Sequence, residues 1–374
     1  MPMFASRGAY VGKPLHLGDD EFAILQTQVT SQSLAIEMAE KVLELFTKPF
    51  RVNEMDFNLT TSIGIAFSAR CADDAEEMLG SADFALQKVK KRGGRGYSVY
   101  DDAMKLESQS RRIIRNELRC GLQDEQLRLF YQPQFDLETS QLVGFEALLR
   151  WQHPMRGLLT PASFLPALDR SILALDIGWW ALDEACRVGA FINRTDPKYT
   201  IAVNLFPQQF QAPDFYARVR SALKKHSLSP DLLELELTEQ IALDDNGKGI
   251  ATQKSLQELG VGIAVDDFGT GFASLKSLQK LPLSSLKIDR SFVQNIDVSP
   301  SDRAIARALV IMSREMGLKT VAEGIETEEQ KAILLQIGCG VAQGFLYGRP
   351  ADELTTIELA ARGCEMTTRS GFAA

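Results

Sequence analysis

The sequence predicts an α/β protein whose larger part is a TIM-like (β/α)8 barrel with an antiparallel first strand, preceded by a partial α+β domain. The barrel is indicated by short β-rich runs that alternate with longer helical segments from residue 127 onward. Eight such repeats over about 240 residues are typical of this fold. The earlier residues alternate strands and helices without that repeat. A chain of 374 residues has room for two domains at about 100–200 residues each.

The first part of the chain contains two predicted strands and two predicted helices. Residues 21–26 and 57–68 are rich in apolar and β-branched residues, whereas residues 31–47 and Ala75–Lys91 have helical periodicity. The second helix ends in lysines and is followed by two glycines, which is a C-terminal signal. The basic run at 88–95 allows a phosphate-binding patch, but we favour a solvated helix end whose cations complement the helix dipole.

A charged amphipathic segment at 101–123 predicts a helix that links the two parts of the chain. Its apolar residues form one stripe, which is the pattern of a helix that packs on one side. We therefore expect a partial domain at 1–102, a linker helix at 103–123, a barrel at 124–362 and a tail at 363–374.

The barrel is predicted from eight strands with helices between most of them. The strands are 128–135, 142–150, 200–205, 232–238, 262–267, 285–288, 319–323 and 341–346, and the helices are 176–191, 215–226, 250–259, 302–316 and 328–337. Only a short turn around Thr139 and Ser140 separates the first two strands. This spacing suits a hairpin rather than a parallel crossover, so the first strand is expected to run antiparallel.

Composition excludes several classes of protein. The net charge of −8 and the pI of about 5.2 argue against a protein that coats nucleic-acid polymers. No apolar run approaches the roughly 20 residues of a membrane span. The five cysteines include no CxxC pair and the three histidines include no i, i+4 pair, so we expect reduced thiols in the cytoplasm and oxygen ligands for any metal. A membrane tether upstream in a longer parent protein is compatible with these observations.

Polar residues recur where the predicted barrel strands end. They are Glu146, Asn204, Glu236, Asp266, Asp267, Lys287, Glu323 and Gln343. Because the carboxyl ends of barrel strands meet at one mouth, we expect these side chains to converge there. Independently solvated loop acids would explain any single residue, but they explain the whole set poorly.

Buried carboxylates repel one another and need a counter-charge. An oxygen-rich site of Glu, Asn and Asp suits Mg²⁺ or Mn²⁺. Neighbouring strand residues point to opposite faces, so both Asp266 and Asp267 reach the mouth only if the strand ends there. Gly269 and Gly271 are expected to supply that break. One carboxylate could then bridge two cations about 3.5–4 Å apart.

At these residues the sequence resembles a known family, the EAL-domain cyclic di-GMP phosphodiesterases. The motifs that carry the resemblance are YQP at 131–133, EALLRW at 146–151, NL at 204–205, ELTE at 236–239, DDFGTG at 266–271, LKID at 286–289, AEGIE at 322–326 and QGF at 343–345. The resemblance covers residues 118–359, and so many ordered motifs make it specific. It implies hydrolysis of cyclic di-GMP to linear pGpG in bacterial second-messenger signalling, with two Mg²⁺ or Mn²⁺ ions and a homodimer formed through the barrel.

The resemblance also implies roles for the matching positions. Glu146, Asn204, Glu236 and Asp266 correspond to metal ligands, with Asp266 bridging, and Asp267 and Glu323 correspond to further ligands and water-orienting acids. Lys287 corresponds to the group that holds the attacking water, Gln343 lies near the metals, and Gln132 and Arg150 correspond to dinucleotide contacts. Glu239 corresponds to the residue that positions the loop 268–274.

The N-terminal part resembles half of a GGDEF domain of the diguanylate cyclases. The sequence GDDEF at 18–22 has Asp19 where the signature has its second glycine. The family's first strand and its metal-binding aspartate would lie upstream of residue 1. We therefore expect a degenerate remnant without cyclase activity, and we expect it to be less stable than the barrel because it leaves strand edges unpaired.

Three alternatives remain open beside an active phosphodiesterase. The chain could be a catalytically silent cyclic di-GMP receptor, a phosphodiesterase regulated by GTP at the N-terminal remnant, or a bifunctional cyclase and phosphodiesterase. The intact acid set disfavours the first of these, and the altered GGDEF signature disfavours the last.

Overall fold

The computed structural model describes residues 10–11, 14–18, 20–53, 55–68, 74–169, 171–195, 198–242, 248–269, 278–279 and 281–363. Contacts within the chain divide it into two compact units, Met1–Ile113 and Ile114–Ala374. Within the described residues, every helix is too short or too polar to cross a lipid bilayer.

The first unit has an α+β composition, as expected. Its helices are α1 (Gln32–Leu45) and α2 (Ala75–Lys91), and its strands are β1 (Tyr10–Val11), β2 (Leu15–Gly18), β3 (Glu21–Ala23), β4 (Gln26–Thr27), β5 (Phe50–Val52), β6 (Met55–Phe57), β7 (Ile63–Ile65) and β8 (Tyr97–Val99). The strands form four separate pairs: β1–β4, β2–β3 and β5–β6 are antiparallel, and β7–β8 is parallel. The Asp74 side chain begins α2 by accepting from the Glu76 N–H.

Two strands predicted in this unit are each divided in the structure. Of the predicted strand 57–68, only Phe57 lies in β6, which pairs with β5, and Ile63–Ile65 form β7, which pairs with β8. Of the predicted strand 21–26, Glu21–Ala23 form β3 and only Gln26 lies in β4. The residue pattern could not reveal these divisions, because partner choice is a long-range property and the two pieces pair with different segments.

The second unit is a closed barrel, as the strand pattern predicted. Its strands are β9 (Leu127–Asp136), β10 (Leu142–His153), β12 (Thr200–Asn204), β13 (Leu233–Thr238), β14 (Gly262–Phe268), β15 (Ser285–Ile288), β16 (Lys319–Ala322) and β17 (Val341–Gln343). They pair in the order β10, β12, β13, β14, β15, β16, β17, β9, and β9 pairs again with β10 to close the sheet. Only the two pairings of β9 are antiparallel among these barrel strands, which confirms the expected first strand.

Helices and one short strand surround the barrel strands. The helices are α3 (Asp102–Gln123), which begins in the first unit, α4 (Leu165–Leu168), α5 (Leu173–Ile192), α6 (Pro207–Phe210), α7 (Phe215–His226), α8 (Glu239–Ala242), α9 (Lys248–Leu259), α10 (Arg290–Val293), α11 (Pro300–Glu315), α12 (Glu328–Ile337) and α13 (Glu353–Arg362), and the short strand β11 (Gly157–Leu159) pairs with β10. The outward-facing strand residues and the inward faces of these helices form one large apolar core.

The last barrel strand is shorter than predicted. Residues 341–346 were expected to be extended, but β17 ends at Gln343. At Gly344 the chain passes so close to the segment after β16 that a Cβ atom there would lie 2.1 Å from the Ile325 carbonyl oxygen. Only glycine permits this approach, and it places Gln343 at the very end of its strand.

Candidate active site

One lysine lies among four carboxylates on the barrel axis. The Lys287 Nζ lies 2.6 Å from Glu323 Oε1, 2.8 Å from Glu236 Oε1, and 3.4 Å from both Glu146 Oε2 and Asp266 Oδ1. Lys287 and Glu236 are each only 1% exposed. The structure therefore brings together these five sequence-predicted residues from five different strands or strand ends, as the barrel argument required.

The environment shifts the pKa values of these groups in opposite directions. Burial disfavours the Lys287 ammonium, but the surrounding carboxylates raise its pKa well above the ordinary value. Burial raises the pKa of Glu236 well above its usual range, and neighbouring Glu146 adds to the shift. Burial also opposes ionisation of Glu146, yet Lys287 and hydrogen bonds from amide groups hold its pKa below the ordinary value.

Amide side chains orient the Glu146 carboxylate. Asn204 Nδ2 donates to Glu146 Oε1 at 2.7 Å, and Gln343 Nε2 donates to Glu146 Oε2. The Gln343 amide also donates to Gln132 Oε1 at 3.0 Å and accepts from Gln134 Nε2 at 2.9 Å. A hydrogen-bonded wall of amides on β9, β12 and β17 thus fixes the direction of the carboxylate.

Asp267 lies close to two of the carboxylates that surround the lysine. Asp266, Asp267 and Glu323 each offer an oxygen, and these oxygens lie within 4.8 Å of one another. Burial raises the pKa of Glu323 to about 8, with Asp266 and Glu146 adding to the shift and Lys287 opposing it. Burial also raises the pKa of Asp267 to about 6, with further contributions from Asp266 and Asp289.

The backbone at Asp267 differs from the expectation. Gly269 and Gly271 were expected to end the strand, and β14 does end at Phe268, directly before Gly269, whose φ is +98°. The strand nevertheless continues through Asp267, and its register with β15 shifts between Val265 and Phe268. Asp267 itself has a left-handed conformation, with φ of +54°. A non-glycine residue rarely adopts this conformation, and here it breaks the strand alternation between the two aspartates. Gly271 lies outside the described residues.

The donor set fits divalent cations. Four carboxylates face one ammonium group, which leaves excess negative charge in a buried space. Apart from the ion pair with Lys287, neither oxygen of Glu236 receives a hydrogen bond from any described residue. Buried polar oxygens normally have partners, and Mg²⁺ and Mn²⁺ prefer carboxylate and amide oxygens. Glu146, Asn204, Glu236, Asp266, Asp267 and Glu323 are therefore suited to hold such ions.

The two residues that were predicted to contact the dinucleotide, Arg150 and Gln132, lie at the edge of this cluster. Arg150 lies on β10, four residues after Glu146 and on the same strand face. Its Nη1 donates to the Leu149 carbonyl at 2.8 Å, and its guanidinium carbon lies 5.6 Å from the centre of the Phe130 ring. Burial lowers the pKa of Arg150 and the nearby Glu146 opposes that shift. Gln132, on β9, also donates from Nε2 to the Gly348 carbonyl at 3.2 Å.

Glu239 contacts the start of the loop that it was expected to position. Its buried Oε2 accepts from the Gly269 N–H at 3.3 Å. The remainder of the loop, 270–274, lies outside the described residues. In the first unit, Gly18 has a φ of +136°, Asp19 lies outside the described residues, and Lys90 Nζ pairs with Glu21 Oε1 at 3.2 Å.

Sequence reasoning missed Gln134 and Asp289, and it placed Glu234 on the axis face of its strand without giving it a role. Gln134 shares a strand face with Gln132, so alternation along β9 could have indicated it. Glu234 lies one step deeper than Glu236 on β13 and accepts from Ser285 Oγ at 2.8 Å, and burial raises its pKa. Asp289 accepts from the Ser291 N–H at 3.0 Å, and no residue pattern indicated its influence on Asp267.

Two protein-family models match the chain. The model described as "EAL domain" matches residues 115–350, and the model described as "Diguanylate cyclase, GGDEF domain" matches residues 12–96.

Curated relatives match most of the chain. The "Bifunctional diguanylate cyclase/cyclic di-GMP phosphodiesterase MucR" of Pseudomonas aeruginosa is 39% identical over 335 residues, covering 89% of this chain and 49% of MucR. "Signaling protein YkoW" of Bacillus subtilis is 34% identical over 335 residues, covering 89% of this chain and 42% of YkoW. The chain thus spans about half or less of the length of these relatives.

Solved structures resemble the barrel. The structure "PaMucR Phosphodiesterase, c-di-GMP complex" matches with a TM-score of 0.63 and 43% sequence identity. The match covers 65% of this chain and 99% of the PaMucR chain. The structure "Klebsiella pneumoniae BlrP1 pH 6 manganese/cy-diGMP complex" matches with a TM-score of 0.55 and 26% sequence identity. The match covers 61% of this chain and 56% of the BlrP1 chain.

Proposed function

Because the chain belongs to the EAL-domain family and carries a GGDEF-type region before that domain, we propose that it hydrolyses cyclic di-GMP to linear pGpG in bacterial second-messenger signalling. The observation that carries the proposal is the ring of four carboxylates around Lys287 at the carboxyl ends of the barrel strands. The related complexes of PaMucR with cyclic di-GMP and of BlrP1 with manganese and cyclic di-GMP support the choice of substrate and of cofactor.

Two Mg²⁺ or Mn²⁺ ions are the proposed cofactors. Glu146, Asn204, Glu236 and Asp266 would hold them, with Asp267 and Glu323 as further ligands. When bound, such ions lower the pKa of water and neutralise charge on a phosphodiester. The buried Glu236 carboxylate, whose described charge partner is Lys287, and the excess of acidic over basic groups support this ligand set.

Side chains of this protein are proposed to hold and orient the attacking water. The Lys287 ammonium lies within 3.4 Å of four carboxylates, and we propose that it holds the attacking water between them. Glu323 and Asp267 lie beside Asp266, and we propose that they orient that water. Asp267, whose pKa is raised to about 6, is mostly ionised at neutral pH and is suited to accept a proton from it. Glu146 completes the proposed catalytic group.

Substrate recognition is assigned to the edge of the cluster. A guanidinium presents paired donors that match a phosphate, so Arg150 is proposed to contact one phosphate of the dinucleotide. Gln132 and Gln343 lie on the wall next to Glu146, and we assign them to the same substrate. Glu239 is proposed to hold the loop after Phe268, and the active species is proposed to be a homodimer formed through the barrel.

A nucleotide-product assay tests the proposal. The full chain is incubated with cyclic di-GMP in EDTA, and then with Mg²⁺ or Mn²⁺ added back, and the products are separated by chromatography. We expect pGpG only after a metal is restored. Absence of turnover with either metal would contradict the proposal.

Two further measurements test the alternatives to an active phosphodiesterase. Calorimetric binding of cyclic di-GMP without turnover would identify a receptor instead of an enzyme. A change in rate on adding GTP would identify regulation through the N-terminal region, and formation of cyclic di-GMP from GTP alone would identify a cyclase.

A further inference from the structure

A separate apolar cluster lies at the mouth end of the barrel, beside the strand that carries Glu146 and Arg150. It includes the last turns of α3, the adjoining ends of β9 and β10, and parts of α4 and α5. Its buried members are Leu118, Leu127, Trp151, Phe164, Leu168, Leu173, Ala174 and Ile177. Trp151 is the bulkiest of them and is 1% exposed. Contacts that fix Trp151 therefore fix the end of β10.

Helix α3 reaches Trp151 at a glycine. A Cβ atom on Gly121 would lie 2.8 Å from Trp151 Nε1 and 3.0 Å from Gln126 Oε1. The indole Nε1 donates to Gln126 Oε1 at 3.1 Å. The Gln126 N–H donates to the Gly121 carbonyl, and the Gln152 N–H donates to the Gln126 carbonyl, both at 2.8 Å. Helix, turn and strand are thus joined through Gln126.

Two polar contacts attach the same helix to neighbouring parts of the mouth. Arg115 Nε donates to the Ala167 carbonyl at 2.8 Å, in α4. Glu117 Oε2 pairs with Arg156 Nη2 at 2.6 Å, in the turn after β10. Exposed ion pairs contribute little alone, but these contacts and the packing at Gly121 all act on the segment that follows Arg150.

From this arrangement we infer that Gly121 and Trp151 are positioning residues for substrate recognition, because the seating of α3 on Trp151 sets the position of Arg150. The inference rests on the proposed function, since it takes Arg150 as a cyclic di-GMP contact. Strand alternation directs Trp151 toward α3 and Arg150 toward the barrel axis, so one peptide unit transmits any shift between them. Glu146 lies four residues deeper, so displacement of Trp151 weakens substrate binding more than it changes the metal-binding group.

Gly121→Ala tests the inference, with Gly80→Ala as its matched control. Gly80 also lies within a helix, but a Cβ atom there would meet nothing within 4 Å. Both substitutions bring the same gain in helix propensity, and only one introduces a clash. We expect Gly121→Ala to raise KM for cyclic di-GMP about tenfold while kcat stays within about twofold, and Gly80→Ala to leave both constants unchanged.

A second variant separates positioning from loss of folded protein. Trp151→Phe keeps an aromatic ring in the cluster but removes the Nε1 atom that the new Cβ would meet. We expect the double variant Gly121→Ala/Trp151→Phe to return KM to the value of Trp151→Phe alone. A merely structural role would instead lower the active fraction, with KM unchanged and without rescue.

The outcomes distinguish this inference from the proposed function. If the natural chain turns over and folded Gly121→Ala keeps its KM within twofold, the inference is wrong and the proposed function stands. If the natural chain binds cyclic di-GMP in EDTA without turnover, the proposed function is wrong, and the calorimetric Kd of Gly121→Ala decides the inference. If the natural chain neither binds nor turns over cyclic di-GMP, both are wrong.

Discussion

The ammonium nitrogen of Lys287 lies 2.6 Å from Glu323 Oε1, across the junction of the neighbouring strands β15 and β16. This pair belongs to a group in which three more carboxylates approach the same nitrogen. We expect Lys287→Ala to lower kcat by about 100-fold or more, because a preorganised positive group at a charged reaction centre is lost. The Kd for cyclic di-GMP should change much less.

Thermal melting of Lys287→Ala adds an independent readout. In EDTA, the loss of the ammonium leaves buried carboxylates without a counter-charge, which costs about 3–5 kcal/mol. Mg²⁺ should restore most of the lost stability. Lys225→Ala, which removes an exposed ion pair with Asp183, is the control. An unchanged kcat in Lys287→Ala would contradict the proposed role.

Removal of single proposed ligands should abolish hydrolysis without unfolding the barrel. We expect Glu146→Ala and Asp266→Asn each to reduce pGpG formation below detection, because each change removes a metal-binding oxygen while the apolar core stays intact. Circular dichroism should remain native. Asp214→Asn, at an exposed helix end, is the matched control, and turnover close to that of the natural chain in either ligand variant would overturn the assignment.

Metal affinity should rise with pH. The pKa values of Asp267 and Glu323 are raised from 3.8 to about 6 and from 4.5 to about 8, so the folded protein holds protons that the unfolded chain has already lost. The contribution of these two groups to the stability of the metal-free protein therefore falls as pH increases from about 4 to about 8. A divalent cation must displace those protons, so its binding should tighten over the same interval.

Calorimetry at pH 6 in two buffers of different ionisation enthalpy measures this proton release. We expect net release on Mg²⁺ binding, and less of it for Asp267→Asn. Binding that is independent of the buffer would show that these carboxyl groups are already ionised without metal.

The Glu239 carboxylate should control activity through the segment that begins at Gly269. Glu239→Ala removes the carboxylate acceptor of the Gly269 N–H, and a hydrogen bond to a charged group contributes about 1.5–3 kcal/mol. We expect kcat/KM to fall about tenfold, while Glu239→Gln, which keeps a side-chain carbonyl, loses less. Equal effects of the two substitutions would show that the negative charge matters and that the hydrogen bond to Gly269 does not.

The first unit should open before the barrel. Large apolar side chains are exposed there, including Phe22 at 65% and Met55 at 61%, and one buried cluster contains only Ala85, Tyr100 and Met104. Limited proteolysis followed by mass spectrometry should therefore find the earliest cuts before residue 100. First cuts within the described barrel strands would contradict this order of stability.

Sequence reasoning succeeded where local signals and tertiary structure agreed. Helix α2 has its predicted bounds, since a capping aspartate precedes it and cations followed by glycines end it. The barrel strands were recognised because buried parallel strands leave continuous apolar runs. Short elements such as α4 and β11 escaped because they are too brief for periodicity to register.

The sequence could predict which residues form the site, but it could not predict how they are arranged. Strand ends indicated which acids would meet at the mouth, yet spacing along the chain does not show that Lys287 contacts four of them. It also does not show that Asp267 adopts a left-handed conformation, because that strain is tolerated only within the assembled sheet. The roles and the domain borders taken from the family resemblance remain predictions.

The reversed direction of β9 has a consequence for how the polypeptide enters the barrel. Leu127, where β9 begins, is the register partner of Trp151 near the end of β10, so the chain arrives at the rim where the substrate is proposed to sit. In a barrel with every strand parallel, the incoming segment would reach the opposite, inert end. Because one strand is inverted, the upstream sequence is covalently joined to the end of the barrel that carries the proposed substrate site. A conformational change upstream could therefore reach this site without passing through the packed interior of the barrel.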